Sequence, residues 1–129
     1  MQPNSTLAIC SRTAALVLAA AWFASQASAM SLRELQALEK TGKQGENYVR
    51  YYLVGVMEGA LEGHLQDVRN GAKAVICLKG RRLEPHMAPS LFGTELRRNA
   101  GVYEADMPVQ LVMTNALANF YHPNFQTPS

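Results

Sequence analysis

The chain has 129 residues, 48% hydrophobic and 17% charged, with twelve Lys and Arg against ten Asp and Glu, a formal charge of +2. That length supports one domain with a modest core. So even a balance of charge excludes recruitment to nucleic acid or to a membrane surface by bulk electrostatics.

The first 29 residues read as a leader. A polar start carries one cation, Arg12, an apolar run covers residues 14–24, and Ala27-Ser28-Ala29 follows. This is the order of a secretory signal peptide, with cleavage expected after Ala29. Eleven apolar residues fall short of the roughly 20 that span a bilayer, and a membrane anchor would leave the small-residue tripeptide without a purpose. Cys10 precedes the apolar run, so it cannot become a lipid-bearing first residue of the mature chain. Residues 30–129 are expected to form one helical domain, soluble in a bacterial periplasm, with eleven cations, ten anions and a single cysteine, Cys77. Small exported domains often rely on disulfides; a lone thiol offers none within the chain.

Ser31-Leu32-Arg33-Glu34 has the form of a capping box. It opens a short helix with Leu32, Leu35 and Leu38 on one side, which stops near Thr41-Gly42 and gives way to a polar loop over residues 42–46. A long helix then covers about residues 46–70. Val49, Leu53, Met57, Ala60, Leu61, Leu65 and Val68 form its apolar stripe, and Asn70-Gly71 closes it. Tyr48, Tyr52, Val56, Gly59, Gly63 and Gln66 share another side. Gly55, Gly59 and Gly63 recur every fourth position and so lie on one face. Each costs roughly 1 kcal/mol against alanine, and the ladder is expected to admit a second helix closely, within the chain or across a homodimer seam. Glu58, Glu62 and Arg50 exclude a membrane span here.

Residues 74–78 make a short apolar segment with some β-branching, too short to assign, followed by the basic turn of Lys79, Gly80, Arg81 and Arg82. A third helix starts between Pro85 and Pro89, runs through Leu91, Phe92 and Leu96, and ends at Asn99-Ala100-Gly101 with Arg97 and Arg98 where the dipole favours cations. Asp106 is expected to cap a fourth helix with Pro108 in its first turn. Val109, Val112, Met113, Ala116, Leu117 and Phe120 form its apolar face, His122-Pro123 stops it, and a loose tail follows. The expected fold is all-α: a small bundle of about four helices with one short irregular apolar segment.

Catalytic signatures are sparse. Cys77 with His64, His86 or His122 is the one conceivable thiol–imidazole pair, but no glycine elbow or helper residue accompanies it, and a free cysteine is ordinarily a small apolar residue. No two histidines have the spacing that puts metal ligands on one helix face. Glu58 and Glu62 read as a solvated stripe. No phosphate loop or dinucleotide signature occurs, so no cofactor, no metal and no enzymatic activity are expected. Binding surfaces remain. Lys79, Arg81 and Arg82 on one loop, and Tyr103, Glu104 and Asp106 on another, carry the residue types that anchor interfaces.

An ordered set of motifs resembles that of a known family. Tyr51-Tyr52-Leu53-Val54-Gly55-Val56-Met57-Glu58-Gly59 resembles the Tyr-x-x-Gly-x-x-x-Gly helix of the Rap/Tai immunity proteins. Ile76-Cys77 resembles the pair that follows that helix in the family. Tyr103-Glu104-Ala105-Asp106-Met107-Pro108 is similar to the acidic-x-Pro lead into its last helix, and Ala116-Leu117 with Tyr121-His122-Pro123 resembles its close. The likeness spans about residues 48–124. Two places depart from it: Leu78-Lys79 follows the cysteine where a proline is usual, and Asn124 follows Pro123 where a pairing cysteine is usual. The resemblance implies a periplasmic immunity protein that binds a type VI secretion effector, a peptidoglycan amidase, and inhibits it by blocking its cleft with a loop. An acid-activated periplasmic chaperone and a non-catalytic accessory subunit of an exported complex share the size and helical content.

Overall fold

A computed structural model of the chain describes residues 29–124; the leader, apart from Ala29, and the last five residues lie outside it. Four helices follow one another, α1 (Leu32–Glu39), α2 (Lys43–Arg69), α3 (Met87–Arg98) and α4 (Val109–Phe120), with no strand among the described residues. The protein is therefore all-α. No helix of the described residues is long and apolar enough to cross a membrane.

α1 begins with the capping box. The Ser31 hydroxyl accepts from the Glu34 N–H at 3.3 Å, and the Ser31 N–H donates to the Glu34 carboxyl at 2.7 Å. A second clamp joins the same point to the far end of the chain. Leu32 and Arg33 donate their N–H groups to the carbonyls of Met107 and Ala105, at 3.0 and 2.9 Å, while Val109 donates to the carbonyl of Met30 at 2.9 Å. Ser31 and Pro108 form an isolated antiparallel bridge between them. The free donors at the start of α1 and the first N–H of α4 are thus satisfied by each other's flanks.

This exchange corrects the expected start of α4. The cap is Pro108 and the helix starts at Val109. Asp106 caps nothing; it faces Arg33 at 3.0 Å in an exposed ion pair. The Met30 carbonyl has taken the role foreseen for its side chain.

The expected polar loop over residues 42–46 is also corrected, because α2 starts at Lys43. The turn is confined to Lys40, Thr41 and Gly42, whose φ of +105° suits glycine. Thr41 holds the turn by donating its hydroxyl to the Leu38 carbonyl at 2.7 Å. Gly45, already one turn into α2, is buried, and a Cβ there would collide with the Leu38 carbonyl and the Thr41 side chain. The glycine that α1 and α2 need for their close approach is therefore Gly45.

Val49, Leu53, Val56 and Met57 carry α2 into the core, where α4 supplies Val109, Val112, Met113, Ala116 and Leu117, all without solvent exposure. Leu32 and Leu35 of α1 and Ala88, Leu91 and Phe92 of α3 complete it. Beyond Met57 no residue of α2 is fully buried, so its C-terminal third projects past the bundle. Residues 72–78 return along it without regular structure, pinned by Ile76 N–H to the His64 imidazole at 3.3 Å and by Cys77 N–H to the Tyr121 carbonyl.

Gly45→Ala is expected to cost about 1–3 kcal/mol through overpacking, which lowers the melting temperature of a domain near 100 residues by about 4–8 °C per kcal/mol; calorimetry measures it. Two hydrogen bonds from Ser31 hold the Glu34 carboxyl below its usual value of 4.5. A depressed carboxylate contributes its stability in full above the unfolded value and loses it as pH falls through the folded one. The stability difference between the natural chain and Glu34→Gln should accordingly be constant above pH 4.5 and shrink below it in pH-dependent urea unfolding.

Candidate functional site

The basic turn is built from a tight reversal. Lys79 and Gly80 both have positive φ, 50° and 77°, and the Arg81 N–H returns to the Leu78 carbonyl at 3.0 Å, the pattern of a type I′ turn. Arg81 is held twice more: its Nε donates to that same carbonyl at 3.2 Å, and its guanidinium lies 4.9 Å from the centre of the Tyr121 ring. Tyr121 is buried, so the cation rests on a fixed platform. Arg81 and Arg82 form one bank of a shallow groove of about 300 Å³ whose floor is Leu61, Leu65, Leu78 and Leu83. Glu58 and Glu62 form the other bank, and Glu62 pairs with Arg69 at 2.6 Å. The lining combines four leucines with charges of both signs.

The second predicted loop behaves differently. Tyr103 turns inward and donates its hydroxyl to Glu95 at 2.6 Å while accepting from the Asn115 amide at 3.0 Å. Glu95, 1% exposed on the core side of α3, also receives the Asn99 amide at 2.8 Å and the Asn119 amide at 3.1 and 3.2 Å. The phenol's proton is held above its ordinary value of 10.0, first by burial and then by the hydrogen bond to Glu95. Glu104 and Asp106 remain exposed. Asp106 lies two residues before the cap of α4 and Arg81 stacks just past its other end, about 18 Å apart along a 12-residue helix. The two loops are therefore brought to opposite ends of α4 and not to one spot.

Gly55, Gly59 and Gly63 are exposed, and a Cβ on any of them would meet nothing within 4 Å. Among the described residues no helix packs against them, in contrast to the expected close contact within the chain. They line a broad groove of about 740 Å³ walled by Tyr51, Tyr52, Val75, Gln110 and Thr114.

Cys77 is half-buried and forms no disulfide among the described residues. Of the candidate imidazoles, His64 accepts from the Ile76 N–H at 3.3 Å, and the Nδ1 of His122 accepts from the Asn124 N–H at 3.2 Å. Among the described residues no group of three or more His, Cys, Asp or Glu side chains stands where it could hold a metal ion.

Glu95, Asn115 and Asn119 escaped the sequence reading, and Asn99 was read there only as the close of its helix. The signal was present: Ala88, Leu91, Phe92 and Glu95 follow the i, i+3, i+4, i+7 pattern, so the carboxyl occupies the fourth place of a core stripe. Asn115 and Asn119 are one helical turn apart on the facing helix. Comparison with protein-family models, with curated proteins and with solved structures finds no match.

Tyr103→Phe removes a hydrogen bond to a buried acidic group and is expected to cost about 1.5–3 kcal/mol. Glu95→Ala strands three donors at once and should cost at least about 3 kcal/mol. Because the folded-state phenol titrates above 10.0, the natural chain should lose stability relative to Tyr103→Phe as pH rises beyond that value. Denaturant unfolding of both variants, repeated at pH 8 and above pH 10, measures all three.

Proposed function

We propose that this chain is an exported, periplasmic inhibitor and not an enzyme: it binds one folded effector, a peptidoglycan amidase delivered by type VI secretion, and blocks its cleft. The amidase and the delivery system come from the likeness to the Rap/Tai proteins over residues 48–124. The observation that carries a binding role is the preset basic turn beside the groove of Leu61, Leu65, Leu78 and Leu83. An arginine already seated on Tyr121 loses little freedom on docking, and affinity between proteins is set more by such preorganisation than by area. Arg81 and Arg82 offer bidentate donors to carboxylates. Glu58 and Glu62 on the facing bank repel partners whose charges do not alternate in the same order. Lys79 stands on the same turn and joins this surface. Glu104 and Asp106 lie at the opposite end of α4, so they belong to its edge or to a second contact.

The test is a capture at pH 7 from lysate of the source bacterium, followed by assay of the captured protein on purified peptidoglycan. The expected result is one stoichiometric partner whose hydrolysis of cross-link peptides stops at equimolar inhibitor, with inhibition lost in Arg81→Glu/Arg82→Glu while helical content is kept. A diffuse set of clients bound chiefly at acidic pH would replace the inhibitor with a chaperone. Stable recovery in a multiprotein complex without hydrolytic activity would replace it with an accessory subunit.

A further inference from the structure

We propose that His64 is an acid-sensitive latch: as the neutral imidazole it ties the strap of residues 72–78 to α2, and on taking a second proton it lets the strap go while the four helices stay folded.

The strap lacks the redundancy of a helix or a sheet. It lies between two residues at positive φ, Gly71 at 96° and Lys79 at 50°, and no regular structure forms along it. Among the described residues its N–H groups find three acceptors. At one end Ala72 donates to the Asp67 carbonyl at 2.9 Å, and at the other Cys77 donates to the Tyr121 carbonyl at 2.6 Å. Between them, Ile76 donates to Nε2 of His64 at 3.3 Å.

The middle bond differs in kind from the other two. A carbonyl accepts at any pH, whereas an imidazole nitrogen accepts only while it carries no hydrogen. Protonation of Nε2 sets one N–H against another, and the attraction becomes a repulsion. Ile76 is only 5% exposed, so water is a poor substitute for the lost acceptor. A segment held by so few bonds opens locally at a free energy well below that of the whole domain.

The groups around the ring come from three elements. On α2, Asp67 and the phenols of Tyr51 and Tyr52 line the same groove as His64. The strap brings the exposed Lys73 and the half-buried Cys77. α4 brings Gln110 and Thr114, neither of them charged. Asp67 is the anion of this set, three residues after His64, where opposite charges on a helix attract. The doubly protonated ring therefore gains a partner by turning from Ile76 toward Asp67. The latched state needs the ring with one proton and the released state accepts it with two, so protons drive release. The strap is held at neutral pH and above, and it loosens as pH falls through the interval, about pH 8 to 5, in which imidazoles change charge.

Amide hydrogen exchange followed by NMR tests the latch, on protein purified from the full coding sequence, with protection expressed against an unstructured peptide at the same pH. From pH 7.5 to pH 5 the protection of the Ile76 amide should fall at least about fivefold, while the Met113 and Leu117 amides of α4 keep theirs. His122, next to Tyr121, also accepts a backbone N–H, so the variants change position 64 alone. His64→Gln, whose carboxamide oxygen reaches as far as Nε2 and accepts at either pH, should hold Ile76 at both. His64→Ala should leave it released already at pH 7.5. Unchanged protection of Ile76 in the natural chain would overturn the proposal. So would an equal fall in His64→Gln, or a fall that takes the α4 amides with it. The basic turn begins directly after the strap, so release also reaches the surface assigned to the effector; that consequence alone rests on the inhibitor reading, and the exchange readouts involve no effector.

Discussion

A carboxyl group taken out of water must find donors, or the region around it opens to let water in. Glu95 is in that position, and the loop after α3 is shaped by how its demand is met. Asn99 comes from the end of its own helix, Tyr103 from the loop, and Asn119 from α4. Asn115 holds the tyrosine from the other side. Once Tyr103 is drawn inward, the residues just after it are delivered to α1, where the carbonyls of Ala105 and Met107 receive its first N–H groups. One buried acidic side chain thus connects the packing of α3 on α4 to the placement of α1. An all-apolar core would hold the helices together but would not fix this loop.

The parts of the fold that follow from periodicity were legible in the sequence. Val109, Val112, Met113, Ala116 and Leu117 were readable as a core face and are buried without remainder, and the Ser31–Glu34 box forms as its spacing dictates. What was not legible depends on contacts far apart in the chain. Asp106 has the right chemistry for a cap, yet the donor it would have served is taken by Met30, some 76 positions earlier in the chain. Gly45 looked like loop and is a packing residue because of a carbonyl on the preceding helix. Tyr103 looked like an interface anchor, and its hydroxyl is used inward because an acidic residue had been placed in the core stripe of α3. Local patterns cannot distinguish a tyrosine that faces out from one that has a buried partner.

α2 has two open edges besides its core face. One carries Glu58, Glu62 and Leu65 toward the basic turn; the other carries the glycines between the tyrosines and the amides. The glycine edge is open already beside the buried Val49, Leu53, Val56 and Met57, and the basic-turn edge lies further along the helix. The length of α2 therefore supplies surface as well as core, and the segment over residues 72–78 braces the projecting part through His64 and Tyr121.

The pairing of residues 30–33 with residues 105–109 also dictates when the domain can close. Leu32 and Arg33 of α1 and Val109 of α4 find their acceptors only when both segments are present, so a growing chain that has not yet delivered Val109 lacks these bonds and the core face of α4. Such distant contacts must meet the entropy of closing a long loop before they return anything. For a chain exported as proposed, these contacts cannot be completed until residues 105–109 have crossed with the rest.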